Sequence, residues 1–145
     1  MNLFDRPAFI IQPPPISTNA LFRNVEKVGR VKTTAYKAWC AASDEMLTVQ
    51  HPLPRFTGPV DVSFFIGEVG VGRMDSDNTA KAYLDALVRA RIIRDDSRKH
   101  VRSSRAVWVP GMRACVIEIR PASDLPQLAA RITARVPAGL SSILR

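Results

Sequence analysis

Two apolar segments in the first half of the chain have the pattern of β-strands. Residues 8–11 form a short apolar run, and residues 13–15, all proline, interrupt it. Proline ends a strand because it has no N–H to donate to the ladder. Residues 59–66 alternate apolar and polar positions before becoming wholly apolar, which is typical of a strand. The polar segment 16–32 predicts a loop.

Two further apolar segments near the C-terminus predict a β-hairpin. Residues 107–109 and 115–119 are rich in β-branched and aromatic side chains, which favour strands. A Pro110-Gly111 pair follows the first segment and is a strong turn signal. We therefore expect these two strands to pair with each other.

Three other segments have the spacing of amphipathic helices. Residues 34–48 and the residues that follow Asn78 each place apolar side chains on one helical face. A third helix is expected to run through Arg135. Ser123 or Asp124 can accept hydrogen bonds from its first amides and so act as its N-cap.

Length and composition are those of one globular domain. The chain has 145 residues, of which 46% are hydrophobic and 23% charged. Strands and helices are interleaved, so we expect a single α+β domain over residues 1–145, a small mixed β-sheet with helices packed on it. No apolar run approaches the roughly 18 residues of a membrane span, and the N-terminus does not resemble a signal peptide. We expect a soluble, cytoplasmic protein in which Cys40 and Cys115 are reduced thiols.

Basic residues outnumber acidic ones and are concentrated in one segment. The chain has 21 Lys and Arg against 13 Asp and Glu, a net charge of +8. Within residues 89–105 the pair Asp95-Asp96 interrupts seven cations: Arg89, Arg91, Arg94, Arg98, Lys99, Arg102 and Arg105. Such a surface attracts polyanions by releasing their counterions, although a merely solvated face has the same composition. The two acids favour metal-assisted phosphate chemistry, because a divalent metal needs carboxylates where its substrate needs cations.

Asp75 and Asp77 are the strongest candidates for metal ligands. They are two residues apart in an extended segment, so both side chains point to one face, where two carboxylates repel unless a cation or proton lies between them. Magnesium prefers oxygen ligands of this kind. A second interpretation is that Asp77 only caps the following helix. Lys81, one turn along, either forms a surface ion pair with Asp85 or places its ammonium over a scissile phosphate.

Other site chemistries find little support in the sequence. The glycine-rich segment 67–72 matches neither the dinucleotide fingerprint nor the Walker pattern. No His and Cys cluster suggests zinc, and neither His51 nor His100 lies near an identifiable nucleophile motif. His100 is expected to contact DNA backbone phosphate, or nothing.

The order and spacing of these residues resemble the core of the RusA-type Holliday junction resolvases. The matching pattern is Asp75-x-Asp77-Asn78-x-x-Lys81, then Asp85-Ala86-Leu87, then Asp95-Asp96-Ser97. A weaker similarity extends back to about residue 10. The resemblance implies a RusA-like fold, a homodimer, a requirement for magnesium or manganese, and symmetric nicking of four-way DNA junctions. It also implies that Asp75, Asp77 and Asp96 bind the metal and that Lys81 is catalytic.

A set of basic side chains is expected to bind the DNA strands around the cut: Arg23, Arg30, Lys32, Arg73, Arg94, Arg98, Lys99, Arg102 and Arg105.

Two alternative functions fit parts of the same sequence. A non-catalytic basic DNA-binding module explains the charge, but it gains nothing from acids inside the basic segment. A metal-dependent phosphohydrolase of small nucleotides needs an enclosed pocket with base-reading groups, which the sequence does not reveal.

Asp96 can join the other two aspartates only if the chain reverses sharply after the second helix. A helix of about a dozen residues carries the chain roughly 18 Å away, and the extended steps from residue 89 to Asp96 recover at most about 25 Å. We therefore expect a reversal near Ala90-Arg91, where RusA-type proteins often have glycine, and Ile92-Ile93 packed on the helix. The Asp96 carboxylate would then lie within about 8 Å of the other two, close enough to share metals. Alternatively, Asp96 serves the partner subunit's site.

Overall fold

The computed structural model describes residues 6–122 and 125–144. In chain order the elements are β1 (Ala8–Gln12), β2 (Phe22–Val25), β3 (Gly29–Lys32), α1 (Thr34–Val49), β4 (Val60–Gly67), α2 (Ala80–Arg89), β5 (Val101–Val109), β6 (Cys115–Pro121) and α3 (Leu125–Arg135). Short 3₁₀ turns occur at Thr18–Ala20, Ser76–Asn78 and Ala138–Leu144. The expected N-cap residues of the last helix, Ser123 and Asp124, lie outside the described residues. Within the described ranges, no helix is long and apolar enough to cross a membrane.

Four strands form a mixed sheet in the spatial order β1–β6–β4–β5. β4 runs parallel to β5 and antiparallel to β6, and β6 runs antiparallel to β1. Neighbouring parallel strands need a crossover connection, and the segment that contains α2 supplies it between β4 and β5. The predicted α+β class with a small mixed sheet is thereby confirmed.

The predicted hairpin between the last two strands is wrong. Both strands exist, and Gly111 has a φ of +78° in the connection between them, but β4 lies between β5 and β6. The connection therefore passes across the end of β4. A β-carbon on Gly67, the last residue of β4, would lie 2.1 Å from the carbonyl oxygen of Met112. Glycine is required at position 67 because two segments of backbone approach so closely there.

One face of the sheet is buried beneath α1 and α2. Alternate side chains of β4 are buried, and they belong to one core with Trp39 of α1 and Tyr83 of α2. Tyr83 stacks on Phe64 with 5.4 Å between ring centroids and meets Trp39 edge-on at 5.4 Å. Trp39 and Tyr83 also donate hydrogen bonds to the carbonyl oxygens of Pro14 and Pro13. The same aromatic rings thus fill the core and hold the proline segment after β1.

Residues 22–32 form an antiparallel hairpin, β2–β3, and the loop predicted for them is wrong. Most of their side chains are exposed, so the alternating pattern of a half-buried strand is absent. Contacts between cations and rings stabilise the hairpin instead. The guanidinium of Arg30 lies 4.3 Å from the ring centroid of Phe22, and the ammonium of Lys32 lies 5.2 Å from that of Tyr36.

The two cysteines are free thiols with different environments. Cys40 is half-buried and Cys115 is buried. Burial raises the pKa of the Cys115 thiol to about 12. Because the thiolate is the reactive form of cysteine, Cys115 is a core residue without nucleophilic character at neutral pH.

The chain reverses at Arg91, as the sequence predicts. Arg91 has a φ of +59°, which is the left-handed conformation. The N–H of Ile92 bonds the carbonyl of Leu87 and the N–H of Arg91 bonds that of Val88, both at 2.9 Å. These two bonds define a Schellman motif. Ile92 and Ile93 are then buried in the core, so the expected packing after the reversal is also confirmed.

Replacing Arg91 with glycine should stabilise the protein. Glycine adopts the left-handed conformation without the steric cost of a β-carbon, although its greater freedom in the unfolded chain offsets part of the gain. We expect Arg91→Gly to raise the free energy of unfolding by about 1 kcal/mol in urea denaturation. The matched control is Lys37→Gly at an exposed position inside α1, which should lower it by about 1 kcal/mol. A loss of stability in Arg91→Gly would show that the Arg91 side chain itself stabilises the reversal.

Candidate metal and nucleic-acid site

The segment between β4 and α2 carries the predicted acidic residues and is held at both ends. At its start, the N–H of Glu68 bonds the carbonyl of Val109 at 3.2 Å. Near its end, the indole N–H of Trp108 donates to the hydroxyl of Ser76 at 2.8 Å, and the hydroxyl of Thr18 donates to the carbonyl of Asn78 at 3.0 Å. These contacts fix the 3₁₀ turn Ser76–Asn78, which contains Asp77 and directly follows Asp75. The extended backbone expected through both aspartates is therefore wrong, because the chain turns at Ser76.

Asp75 and Asp77 are both exposed, and neither serves as a helix cap. Asp75 precedes the 3₁₀ turn without a capping bond from its side chain, and the N-cap position of α2 is occupied by Thr79. The hydroxyl of Thr79 donates to the carbonyl of Ser76 at 2.9 Å. Among the described residues, neither aspartate side chain accepts a hydrogen bond or joins an ion pair. The capping interpretation of Asp77 is therefore wrong.

Lys81 lies between two carboxylates. Its ammonium nitrogen is 2.7 Å from Asp85 Oδ1 and 3.1 Å from Asp96 Oδ2, so the expected pair with Asp85 forms and a second pair is added. The hydrogen bond with Asp85 raises the pKa of Lys81, partial burial opposes this effect, and the bond with Asp96 adds to it. The hydroxyl of Tyr36 donates to Asp85 Oδ2 at 3.3 Å. Lys81 is therefore protonated at neutral pH, and Asp85 is held from the opposite side by α1.

The pair Asp95-Asp96 divides between two roles. Asp95 accepts a hydrogen bond from the Ser97 amide at 2.7 Å, and the hydrogen bonds from Ser97 lower the pKa of the Asp95 carboxyl. Asp95 Oδ2 also lies 3.4 Å from Nε2 of His100, which is buried. The expectation that His100 contacts phosphate or nothing is therefore wrong. Asp95 closes its own loop, while Asp96 reaches Lys81 in the first turn of α2.

The three predicted metal ligands do not converge on one point in the described part of the chain. Residues 6–122 and 125–144 contain no group of three or more His, Cys, Asp or Glu side chains arranged to hold a metal ion. Asp96 is paired with Lys81 instead. The carboxylate oxygens of Asp75 and Asp77 are available, and they are the hard donors that magnesium prefers. Metal binding by Asp75 and Asp77, and the participation of Asp96, stay predictions.

The nine candidate DNA-binding residues are all exposed. The β2–β3 hairpin carries Arg23, Arg30 and Lys32, the segment before Asp75 carries Arg73, and the chain after α2 carries Arg94, Arg98, Lys99, Arg102 and Arg105. Some have local partners: Arg102 donates to the carbonyl of Arg98 at 2.9 Å, and Arg105 to the hydroxyl of Ser63 at 3.0 Å. Because β5 is an edge strand, Arg102 and Arg105 lie along an open side of the sheet.

Sequence reasoning assigned Trp108 only to a strand and missed its contact with the site. Trp108 is opposite Ile66 in the parallel β4–β5 register, at the end of the sheet from which the Asp75 segment leaves. Its side chain is half-buried. A tryptophan near the end of a strand is a weak signal of a functional site. Its partner Ser76 is distant in sequence and becomes a neighbour only because β4 and β5 pair in parallel.

Asp75→Asn and Asp77→Asn should leave stability almost unchanged. Exposed side chains without partners contribute little to folding, so each variant should unfold within about 0.5 kcal/mol of the parent in urea. Glu118→Gln is the contrasting control, since Glu118 is buried and pairs with Arg120; it should lose about 1–3 kcal/mol. An aspartate variant as unstable as this control would assign that carboxylate a structural role.

No protein-family model matches this chain, and no curated protein matches it significantly. The likeness to the RusA-type resolvases therefore rests on the sequence pattern alone.

Proposed function

We propose that the protein is a metal-dependent endonuclease that cuts branched DNA, above all four-way junctions, by hydrolysing phosphodiester bonds. The observation that carries the proposal is the exposed pair Asp75 and Asp77, which has no partner among the described residues. These acids neither cap a helix nor balance a neighbouring cation in a chain of net charge +8. A bound divalent cation gives them a role, since carboxylate oxygens are the hard donors that magnesium prefers.

Magnesium or manganese suits the oxygen donors of Asp75 and Asp77, with Asp96 as the third expected ligand. When bound, the ion would lower the pKa of water and offset negative charge on the phosphate. Lys81 supplies a fixed positive charge for the phosphoryl oxygens during displacement. Asp85 retains a 2.7 Å contact with the Lys81 ammonium, so Lys81 stays oriented even when Asp96 turns toward a metal.

The basic surface supports DNA as the substrate. Nine exposed cations lie on the β2–β3 hairpin, the Asp75 segment and the chain after α2. The hairpin is linked to the site, since Lys32 contacts the Tyr36 ring and Tyr36 bonds Asp85. Phosphate neutralisation by such residues makes binding strongly dependent on salt. A cytoplasmic location and action as a homodimer belong to the same proposal; the free thiols Cys40 and Cys115 suit a reducing compartment.

Incubation with synthetic four-way, flap and linear duplex DNA, with and without magnesium, tests this function directly. We expect paired nicks in the four-way junction and only when the metal is present. Binding of all three DNAs without any cutting would favour the non-catalytic DNA-binding module. Hydrolysis of mononucleotides without cutting of DNA would favour the nucleotide phosphohydrolase.

Removing any of the three acids should separate cutting from binding. Asp75→Asn, Asp77→Asn and Asp96→Asn should each abolish junction cleavage but retain junction affinity, because each removes a metal ligand and leaves the cations in place. Lys81→Met should slow cleavage by about 100- to 1,000-fold, the usual effect of losing one group that stabilises transition-state charge. Asp44→Asn is the matched control, since Asp44 is an exposed carboxylate that pairs with Arg89. Cleavage at the parental rate by any acid variant would remove that residue from the site.

Symmetric cutting also predicts the oligomeric state. Two opposed strands are cut by two sites related by a two-fold axis, and one chain of 16.0 kDa supplies one site. Light scattering at working concentration should therefore give about twice the chain mass. A strict monomer that still nicks both strands in register would contradict dimerisation.

A further inference from the structure

A cleft lies directly beside the candidate metal ligands. It holds about 400 Å³ and is lined by Glu68, Val71, Gly72, Arg73, Met74 and Trp108. Its last loop residue, Met74, immediately precedes Asp75. The volume falls within the roughly 300–1,000 Å³ typical of small-ligand sites. The candidate endonuclease site thus has a neighbouring cavity that phosphate chemistry alone does not require.

The side chains of the cleft combine an aromatic surface with free polar groups. The Trp108 indole is oriented by its 2.8 Å hydrogen bond to Ser76, so its polar edge is occupied while its ring lines the cleft. Glu68 and Arg73 are exposed, and neither side chain has a hydrogen-bond or ion-pair partner in the part of the chain that the structure describes. One free acceptor and one free donor therefore stand beside an aromatic ring.

We propose that this cleft binds one unpaired nucleobase of the DNA substrate, next to the phosphate that is cut. A base stacks on an aromatic side chain through its flat face, while arginine and carboxylate side chains bond the acceptors and amino groups on base edges. The inference rests on the proposed function, because branched DNA supplies the unstacked base. It makes Trp108, Glu68 and Arg73 the residues that select the base at the cut.

The test measures junction affinity by fluorescence anisotropy in the absence of divalent metal, so that cleavage does not interfere. A series of four-way junctions carries one abasic site, placed in turn at each nucleotide around the branch point. We expect Trp108→Ala to weaken binding of the intact junction by about 5- to 150-fold, the contribution of one stacked base. Trp108→Phe, which keeps an aromatic ring, should stay close to the parent. Phe9→Ala is the control, since Phe9 is 61% exposed on β1, at the opposite edge of the sheet from Trp108.

The abasic series shows whether stacking is the cause. At one position of the abasic site, the affinity of the parent protein for the junction should fall to the affinity of Trp108→Ala for the intact junction. Trp108→Ala should bind that abasic junction no more weakly than it binds the intact one, because both changes remove the same stacking contact. Circular dichroism verifies that Trp108→Ala is folded. If Trp108→Ala does not fold, the variants Glu68→Gln and Arg73→Ala of exposed residues test the proposal instead. Each should change the ratio of affinities for junctions with different bases at that position by at least about fivefold.

Failure of this inference is distinguishable from failure of the proposed function. Junction cutting by the parent, with the same affinity and base preference in all cleft variants, would overturn the nucleobase site and leave the endonuclease intact. Saturable binding of free nucleoside monophosphates that depends on Trp108, without binding of junctions, would overturn both and favour a nucleotide-hydrolysing enzyme.

Discussion

The parallel pairing of β4 with β5 requires the chain to cross from one end of the sheet to the other before the second strand begins. α2 occupies that crossing and buries its apolar face on the sheet. Because the two strands run in the same direction, the segment that leaves β4 and the residue Trp108 meet at the carboxyl ends of these strands. Ligand sites of open sheets are commonly found beyond the carboxyl ends of parallel strands. The parallel pairing of β4 and β5 therefore brings the candidate site and its cleft together.

The ion pairs around Lys81 matter more for geometry than for stability. Exposed pairs of this kind contribute about 0–1 kcal/mol, and the Lys81 side chain is 45% exposed. Their effect is to join three parts of the chain, because Asp85 contacts Tyr36 of α1 and Asp96 comes from the segment after the reversal. Loss of the pair with Asp85 would change the position of the ammonium while the aromatic core around Tyr83 stayed intact.

The sequence predicts best those features that depend on local chemistry. The alternation in residues 59–66 identifies the central strand. The reversal at Arg91 is also present, although the returning chain brings Asp96 to Lys81. The pairing of β5 with β4 could not be predicted. The turn signal at Gly111 shows where β5 and β6 are connected, but it does not show that β4 lies between them. The β2–β3 hairpin escaped prediction because both of its faces are largely exposed. The contact of Trp108 with the site was missed for a related reason: it depends on which strands pair.

The edge position of β1 has a consequence for the order in which this molecule is assembled. Ala8 pairs with Ile119, about 110 positions later in the sequence, and within residues 6–122 and 125–144 β1 has no other strand as a neighbour. During synthesis β1 leaves the ribosome well before β6, and long-range pairing of this kind is slow because a large loop must close first. Until then Phe9 and Ile11, exposed even in the folded chain, lie on an unpaired apolar strand, which is the kind of segment that chaperones protect from aggregation.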